Sequence, residues 1–246
     1  MNATLLHANS SIVTYDELKT VRVPSATRTY SPIPHVELLD TVKREITSSG
    51  LIVARESLII SRTSNGRLGD RFFGLLEIED ENGNSFRTAI GLRNSHDRRF
   101  PAGLCVGSRV MVCDNLAFSA EIVIARKHTK YLKRDLPRLI NQAVGRLGDL
   151  REHQANRIET YRNTTITEPQ VHDLSIRALD AGVIAASKIP KVLEQYRKPP
   201  HEEFSPRTVW SLFNAFTEVL KTYDLQDLPR RTQTLQGLCD VASHMN

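Results

Sequence analysis

The densest run of reactive side chains in the sequence is Arg93-Asn94-Ser95-His96-Asp97, and a second polar group, Cys113-Asp114-Asn115, follows it. A histidine between a hydroxyl and a carboxylate is the material of general base catalysis. His96 would take the proton, Asp97 or Asp114 would orient the ring, and Ser95 or Cys113 would attack. Both runs close segments with strand patterning, however, and successive strand residues point to opposite faces, so Ser95, His96 and Asp97 cannot converge while the strand stays regular. Asn, Ser and Asp at strand ends also bond their own backbone and shape turns. These residues are therefore expected to be structural, and the chain is not expected to be an enzyme. His96, Asp97, Cys113 and Asp114 are the donors available to a metal, but they lack CxxC or HExxH spacing, and neither GxxxxGK[ST] nor GxGxxG occurs. No metal and no cofactor is expected.

A different chemistry is written in the charge distribution. The 246 residues carry a net charge of +5. Residues 1–125 balance 14 Lys and Arg against 14 Asp and Glu, whereas 126–162 hold ten basic residues against four acidic ones. A clustered cationic strip can neutralise phosphates and release their counterions. Within Arg126-Lys127-His128-Thr129-Lys130-Tyr131-Leu132-Lys133-Arg134, helical geometry would bring Arg126, Lys130, Lys133 and Arg134 to one face. The expected phosphate contacts are Arg126, Lys127, Lys130, Lys133, Arg134 and Arg138, with Tyr131 offering a ring for base stacking. A solvated helix face is the competing reading. Arg62, Arg67 and Arg71 can extend the positive surface, while Phe72 and Phe73 are expected in the core.

The elements that must position these residues can be read from periodicity. Residues 1–34 are punctuated by Pro24, Pro32 and Pro34 and read as an irregular arm with at most short strands. Val36, Leu38, Leu39, Val42 and Ile46 predict an amphipathic helix from His35 to Ser49. Strand signals follow at 51–62, 71–80 and 85–93, with Asn82-Gly83 turning the chain between the last two as a hairpin. Gly107 to Cys113 reads as another strand, and Ala117 to Ile124 as a strand or the start of a helix. Asp135 and Pro137 can open a helix whose stripe Leu139, Ile140, Ala143, Val144, Leu147 and Leu150 runs toward Arg162. Thr167-Glu168-Pro169-Gln170 resembles a capping box, Ser205-Pro206 precedes a helix bearing Trp210, Phe213 and Phe216, and Leu228 to Ala242 forms the last helix. That aromatic stripe belongs either to the core or to a self-association face.

The fold class is therefore α+β: an antiparallel meander preceded by a helix and followed by a basic helix, then an all-helical last third. The corresponding regions are an arm at 1–34, an α+β core at 35–162 and a helical region at 163–246. Three cysteines without metal-ligand spacing, no apolar run long enough for a bilayer, and no basic or apolar leader at Met1 to Ser11 point to a cytoplasmic protein.

Arg93-Asn94-Ser95-His96-Asp97, Gly107 through Asn115, and Asn214-Ala215-Phe216-Thr217-Glu218 together resemble the phage/plasmid-like family known as domain of unknown function 932, over roughly residues 35 to 242. The resemblance implies phage, plasmid or bacterial origin and carries no activity or catalytic residues with it. The order helix, meander, further strand and basic helix is also similar to single-strand annealing proteins, which oligomerise and hold single-stranded DNA in a basic groove. The function expected on these grounds is nucleic-acid binding, with single-stranded DNA favoured, in annealing or recombination. The alternative is a non-enzymatic protein that binds and modulates a host protein through its helical third.

Overall fold

A computed structural model describes residues 10–79, 86–110, 116–224 and 227–244. The elements run β1 (Ser10–Val13), α1 (Tyr15–Lys19), α2 (His35–Ser48), β2 (Val53–Arg62), β3 (Leu68–Ile78), β4 (Phe86–Ser95), β5 (Ala102–Val110), β6 (Leu116–Arg126), α3 (Leu132–Gly145), α4 (Leu147–Asn163), α5 (Glu168–Asp180), α6 (Ile189–Arg197), α7 (Val209–Leu220) and α8 (Leu228–His244). The chain groups into two units, one formed by 1–107 with 121–148 and the other by 108–120 with 149–246. The fold is α+β, with the antiparallel sheet in the amino-terminal half and helices after it. The six strands lie in sequence order, β1 through β6. The segment at 117–124 is thus a strand, and the arm contributes both β1 and the short helix α1.

In the first unit, Asn65-Gly66 turns β2 into β3, with Gly66 at φ 75°, a conformation that favours glycine. The register sets Ile60 opposite Phe72 and Phe72 opposite Asn94, and likewise Leu58, Gly74 and Leu92 in one row. Side chains in such a row share a face, so Phe72 and Asn94 point the same way, and His96, two residues on, joins them. The turn expected at Asn82-Gly83 lies outside the described residues. Helix α2 spans nearly the predicted residues and buries His35, Leu38, Leu39, Val42 and Ile46, which recur at three- and four-residue steps. Phe72 is fully buried, as expected of a core ring, and Phe73 tilts against Phe100 with centroids 5.3 Å apart.

The helix after the sheet begins earlier than Asp135 and does not run unbroken to Arg162. α3 starts at Leu132, with Asp135 in its first turn and Pro137 inside it, and it ends at Gly145, before α4 begins at Leu147. Pro137 is the sixth residue of α3, so the helix forgoes the bond that an N–H there would make to the Lys133 carbonyl. Lys133 Nζ donates to Glu37 Oε2 at 2.8 Å and Asn141 Nδ2 to Glu45 Oε2 at 2.8 Å, tying α3 to α2.

In the second unit the expected capping box forms: Thr167 N–H donates to Gln170 Oε1 at 2.8 Å, with Pro169 in the first turn of α5. Thr208 caps α7 by accepting from Ser211 N. Trp210, Phe213 and Phe216 are buried, and a chain of ring contacts links Tyr161, Phe213, Trp210 and Phe204. The aromatic stripe is therefore core. Arg231 Nη1 donates to the carbonyls of Gly182 and Val183 at 2.7 Å each, holding α8 to the turn after α5.

Candidate nucleic-acid interface

The polar run at the end of β4 folds into a buried network rather than a catalytic row. Pro32 and Pro34 keep the arm extended ahead of α2, and the carbonyl of Ile33 between them accepts from Asn94 Nδ2 at 2.9 Å and from His96 Nε2 at 3.0 Å. Asn94 Nδ2 also donates to His35 Nδ1 at 2.9 Å, while Asn94 Oδ1 accepts from His128 Nε2 at 2.7 Å. The His35 and His96 rings stack at 3.9 Å between centroids and 8° between planes. Tyr30 donates its hydroxyl to the His96 carbonyl at 2.9 Å and packs its ring 5.6 Å from that of His128. Asn94 is fully buried, and His35, His96 and His128 are buried around it.

This geometry assigns the protons. A carbonyl can only accept, so His96 carries its proton on Nε2; the amide nitrogen of Asn94 can only donate, so His35 accepts at Nδ1 and is protonated on Nε2. His128 donates from Nε2 to the amide oxygen. His35 Nε2 and His96 Nδ1 have no hydrogen-bond partner among the described residues. Burial, reinforced by His96 and then His128, lowers the His35 pKa to about 2. Burial and then His96 lower that of His128 to about 4. Both rings are neutral at pH 7 because a charged imidazole would lose its hydration there with no counter-ion to replace it.

The other members of the run point elsewhere. The Ser95 hydroxyl donates to the Phe100 carbonyl at 2.8 Å and accepts from the Phe100 amide at 3.1 Å, closing the loop after β4. Asp97 accepts from Arg71 Nε at 2.7 Å and from the Arg99 amide at 3.2 Å. Ser95, His96 and Asp97 thus share no site, in keeping with strand alternation. Cys113 and Asp114 lie outside the described residues, so the part given to them in catalysis or metal binding falls there too. Among the described residues no group of three His, Cys, Asp or Glu is placed to hold a metal ion.

The basic strip is not one helical face. Arg126 ends β6, Lys127 to Tyr131 form an irregular turn, and only Lys133, Arg134 and Arg138 lie on α3. The turn exists because His128 is pulled into the core: its carbonyl accepts from Ser31 N at 2.8 Å while its ring reaches Asn94. Burying His128 leaves Lys127 and Lys130 on the surface on either side of it. Three of the predicted phosphate contacts have acidic neighbours. Lys133 pairs with Glu37, Arg134 with Asp135 at 2.9 Å, and Arg126 with Asp135 at 3.5 Å. The hydrogen bond from Arg134, with the charges of Arg126 and Arg138, holds the Asp135 carboxyl below the usual carboxylate range. Lys127, Lys130 and Arg138 are exposed and make no ion pair among the described residues. Tyr131 is 47% exposed, with Lys130 Nζ 5.0 Å and the Arg134 guanidinium 4.8 Å from its ring centroid. Of the hairpin arginines, Arg62 donates to Ser11 and the Gly66 carbonyl, and Arg71 is taken by Asp97.

Arg98 is the residue sequence reasoning missed. It sits in the loop after β4 with φ 64°, a conformation a non-glycine residue seldom adopts, and its guanidinium lies 4.2 Å from the Tyr30 centroid. Tyr30 packs in turn on His128, so Arg98 is tied to the turn at 127–131 through two buried rings. No spacing in the sequence marks that partnership, since Arg98, Tyr30 and His128 come from three separate segments.

The class so defined is an antiparallel α+β protein with a cationic, tyrosine-bearing turn anchored on a buried histidine–asparagine network. The chain belongs to the family described as domain of unknown function (DUF932), whose model matches residues 23–240. No curated protein and no solved structure matches it.

Proposed function

We propose that this protein binds nucleic acid, single-stranded DNA in preference to duplex, through the surface formed by Arg98, Lys127, Lys130, Tyr131, Arg134 and Arg138. The observation that carries the reading is the exposed ring of Tyr131 with Lys130 and Arg134 beside it, in the same segment as the exposed Lys127 and Arg138. Phosphates need the charge and unstacked bases need a ring face, and a surface that offers both side by side suits a single strand. A role in annealing during phage or plasmid recombination is the biological setting this suggests, on the order of elements alone.

The test is fluorescence anisotropy of a labelled oligothymidylate at several salt concentrations. Lys127→Ala, Lys130→Ala and Arg138→Ala combined should weaken binding and reduce the slope of log affinity against log salt by roughly 0.7 for each phosphate no longer neutralised. Tyr131→Ala should cost about 1–3 kcal/mol on the single strand while Tyr131→Phe retains binding. Unchanged affinity and slope in the triple variant would overturn the reading.

A second reading is favoured by a groove in the second unit lined by Ile166, Leu174, Leu238, Val241 and Ala242, with Val241 half exposed. In it the protein modulates a host protein through its helices. It predicts no DNA binding even at low salt.

A further inference from the structure

The His128 ring is the one member of the basic turn that is buried, and it is held by a partner that cannot neutralise a charge. The turn at 127–131 is attached through the His128 carbonyl to Ser31 N, through His128 Nε2 to Asn94 Oδ1, and through the ring contact with Tyr30. The ionisable groups facing the ring are Tyr30 from the arm, His35 from α2 and His96 from β4. Arg98 lies over Tyr30 from the loop after β4, and Asp70 and Asp97 are near enough to Tyr30 to act on it electrostatically. Lys127 and Lys130 flank the ring in sequence. No carboxylate bonds to His35, His96 or His128 among the described residues. The charged neighbours closest in the chain are themselves cations.

From this geometry we propose that His128 is a protonation-sensitive latch: neutral, it docks the basic turn onto the end of β4, and protonated, it leaves the core and takes the turn with it. A proton reaching His128 adds at Nδ1, because Nε2 already donates to Asn94. The resulting cation has no counter-ion inside and is better solvated by water outside. Once the ring leaves, the Ser31 amide and Asn94 Oδ1 lose their partners. The surface then loses the pre-organised spacing of Lys127, Lys130 and Tyr131, and its hold on a single strand relaxes. This last consequence rests on the nucleic-acid reading above, whereas the latch does not.

Hydrogen exchange between pH 7.5 and 5, corrected for the intrinsic pH dependence of exchange, tests the latch on the full chain. The Ser31 and Leu132 amides should lose protection by up to about tenfold per pH unit below roughly 6.5, while those of Ile59, Ile60 and Leu76 in the sheet hold theirs. His128→Gln places an amide N–H near the position of Nε2–H without a titrating group, and its Ser31 protection should not vary with pH. Protection that is constant in the wild type, that varies equally in H128Q, or that falls in step with the sheet amides would overturn the proposal. If H128Q does not fold, the His128 ring proton shift in the wild type decides: titration in step with Ser31 protection supports the latch, and titration apart from it overturns it. Oligothymidylate binding at pH 7.5 and 5.5 and fixed salt should weaken in the wild type by the factor that the exchange data give for loss of the docked turn, and not in H128Q. Equal affinity at both pH values, with a working latch, would overturn its regulatory role. Absence of binding at either pH would remove the nucleic-acid reading and leave the latch to the exchange data.

Discussion

Asn94 has both ends of its amide committed, donating to Ile33 O and His35 and accepting from His128, so the histidines around it are fixed in single tautomers. The folded-state pKa values of His35 and His128 lie below the ordinary 6.5, so the unfolded chain takes up protons first as pH falls. The stability these rings contribute is fully present above pH 6.5. It declines as pH drops through about 4 for His128 and toward about 2 for His35, with a slope near 1.4 kcal/mol per pH unit for each ring. Urea melts at pH 7, 6 and 5 should show this, and H128Q should have the shallower dependence. Arg98 carries the opposite trade. Its left-handed backbone costs about 1 kcal/mol that glycine would not incur, so Arg98→Gly should be at least as stable as the wild type in urea yet bind oligothymidylate more weakly. A variant that loses stability in step with affinity would show that the Tyr30 contact outweighs the backbone strain.

At the scale of elements, strand alternation sends Asn94 and His96 toward α2 and Ser95 away from it. The difference between a paired strand and an exposed helix also gives one substitution opposite signs. A Cβ on Gly103 would run into the Ile124 carbonyl oxygen, where β5 and β6 pass closely, whereas one on Gly237, exposed within α8, meets nothing within 4 Å. Gly103→Ala should destabilise by about 2 kcal/mol or more, because the obstacle is backbone. Gly237→Ala should stabilise by about 1 kcal/mol, the difference in helix propensity. Thermal melts of the two variants, read against the wild type, check both signs.

Over the whole molecule the positive charge is unevenly shared. The unit formed by 1–107 and 121–148 holds 20 Lys and Arg against 14 Asp and Glu, and the remainder holds 13 against 14. Nucleic-acid binding driven by placement rather than by net charge should therefore be insensitive to Lys188→Ala, Lys198→Ala and Arg230→Ala combined. That variant removes the same number of charges as the triple variant of the basic turn. An equal fall in affinity and salt slope for both triples, measured by anisotropy, would assign the effect to net charge. Among the described residues no helix is long and apolar enough to cross a membrane.

The sequence by itself determined the parts that depend on neighbours in the chain. The period of Leu38, Leu39, Val42 and Ile46 set α2, apolar runs bounded by turn residues set β2, β3 and β4, though β5 begins at Ala102 rather than at Gly107, Thr167 with Gln170 set the start of α5, and the charge count located the basic strip. The family was legible in Arg93 to Asp97 and the segments quoted with it. Tertiary structure alone decided that the strip is a strand end, a turn and a helix rather than one face. The cause is the burial of His128, whose partner Asn94 is 34 residues away. It alone brought Ile33, His35, Asn94, His96 and His128 together, and it alone placed Arg98 on Tyr30. Local periodicity records which face of an element is apolar, but a buried polar group is satisfied by whichever distant segment the fold carries to it, and that pairing leaves no spacing in the chain.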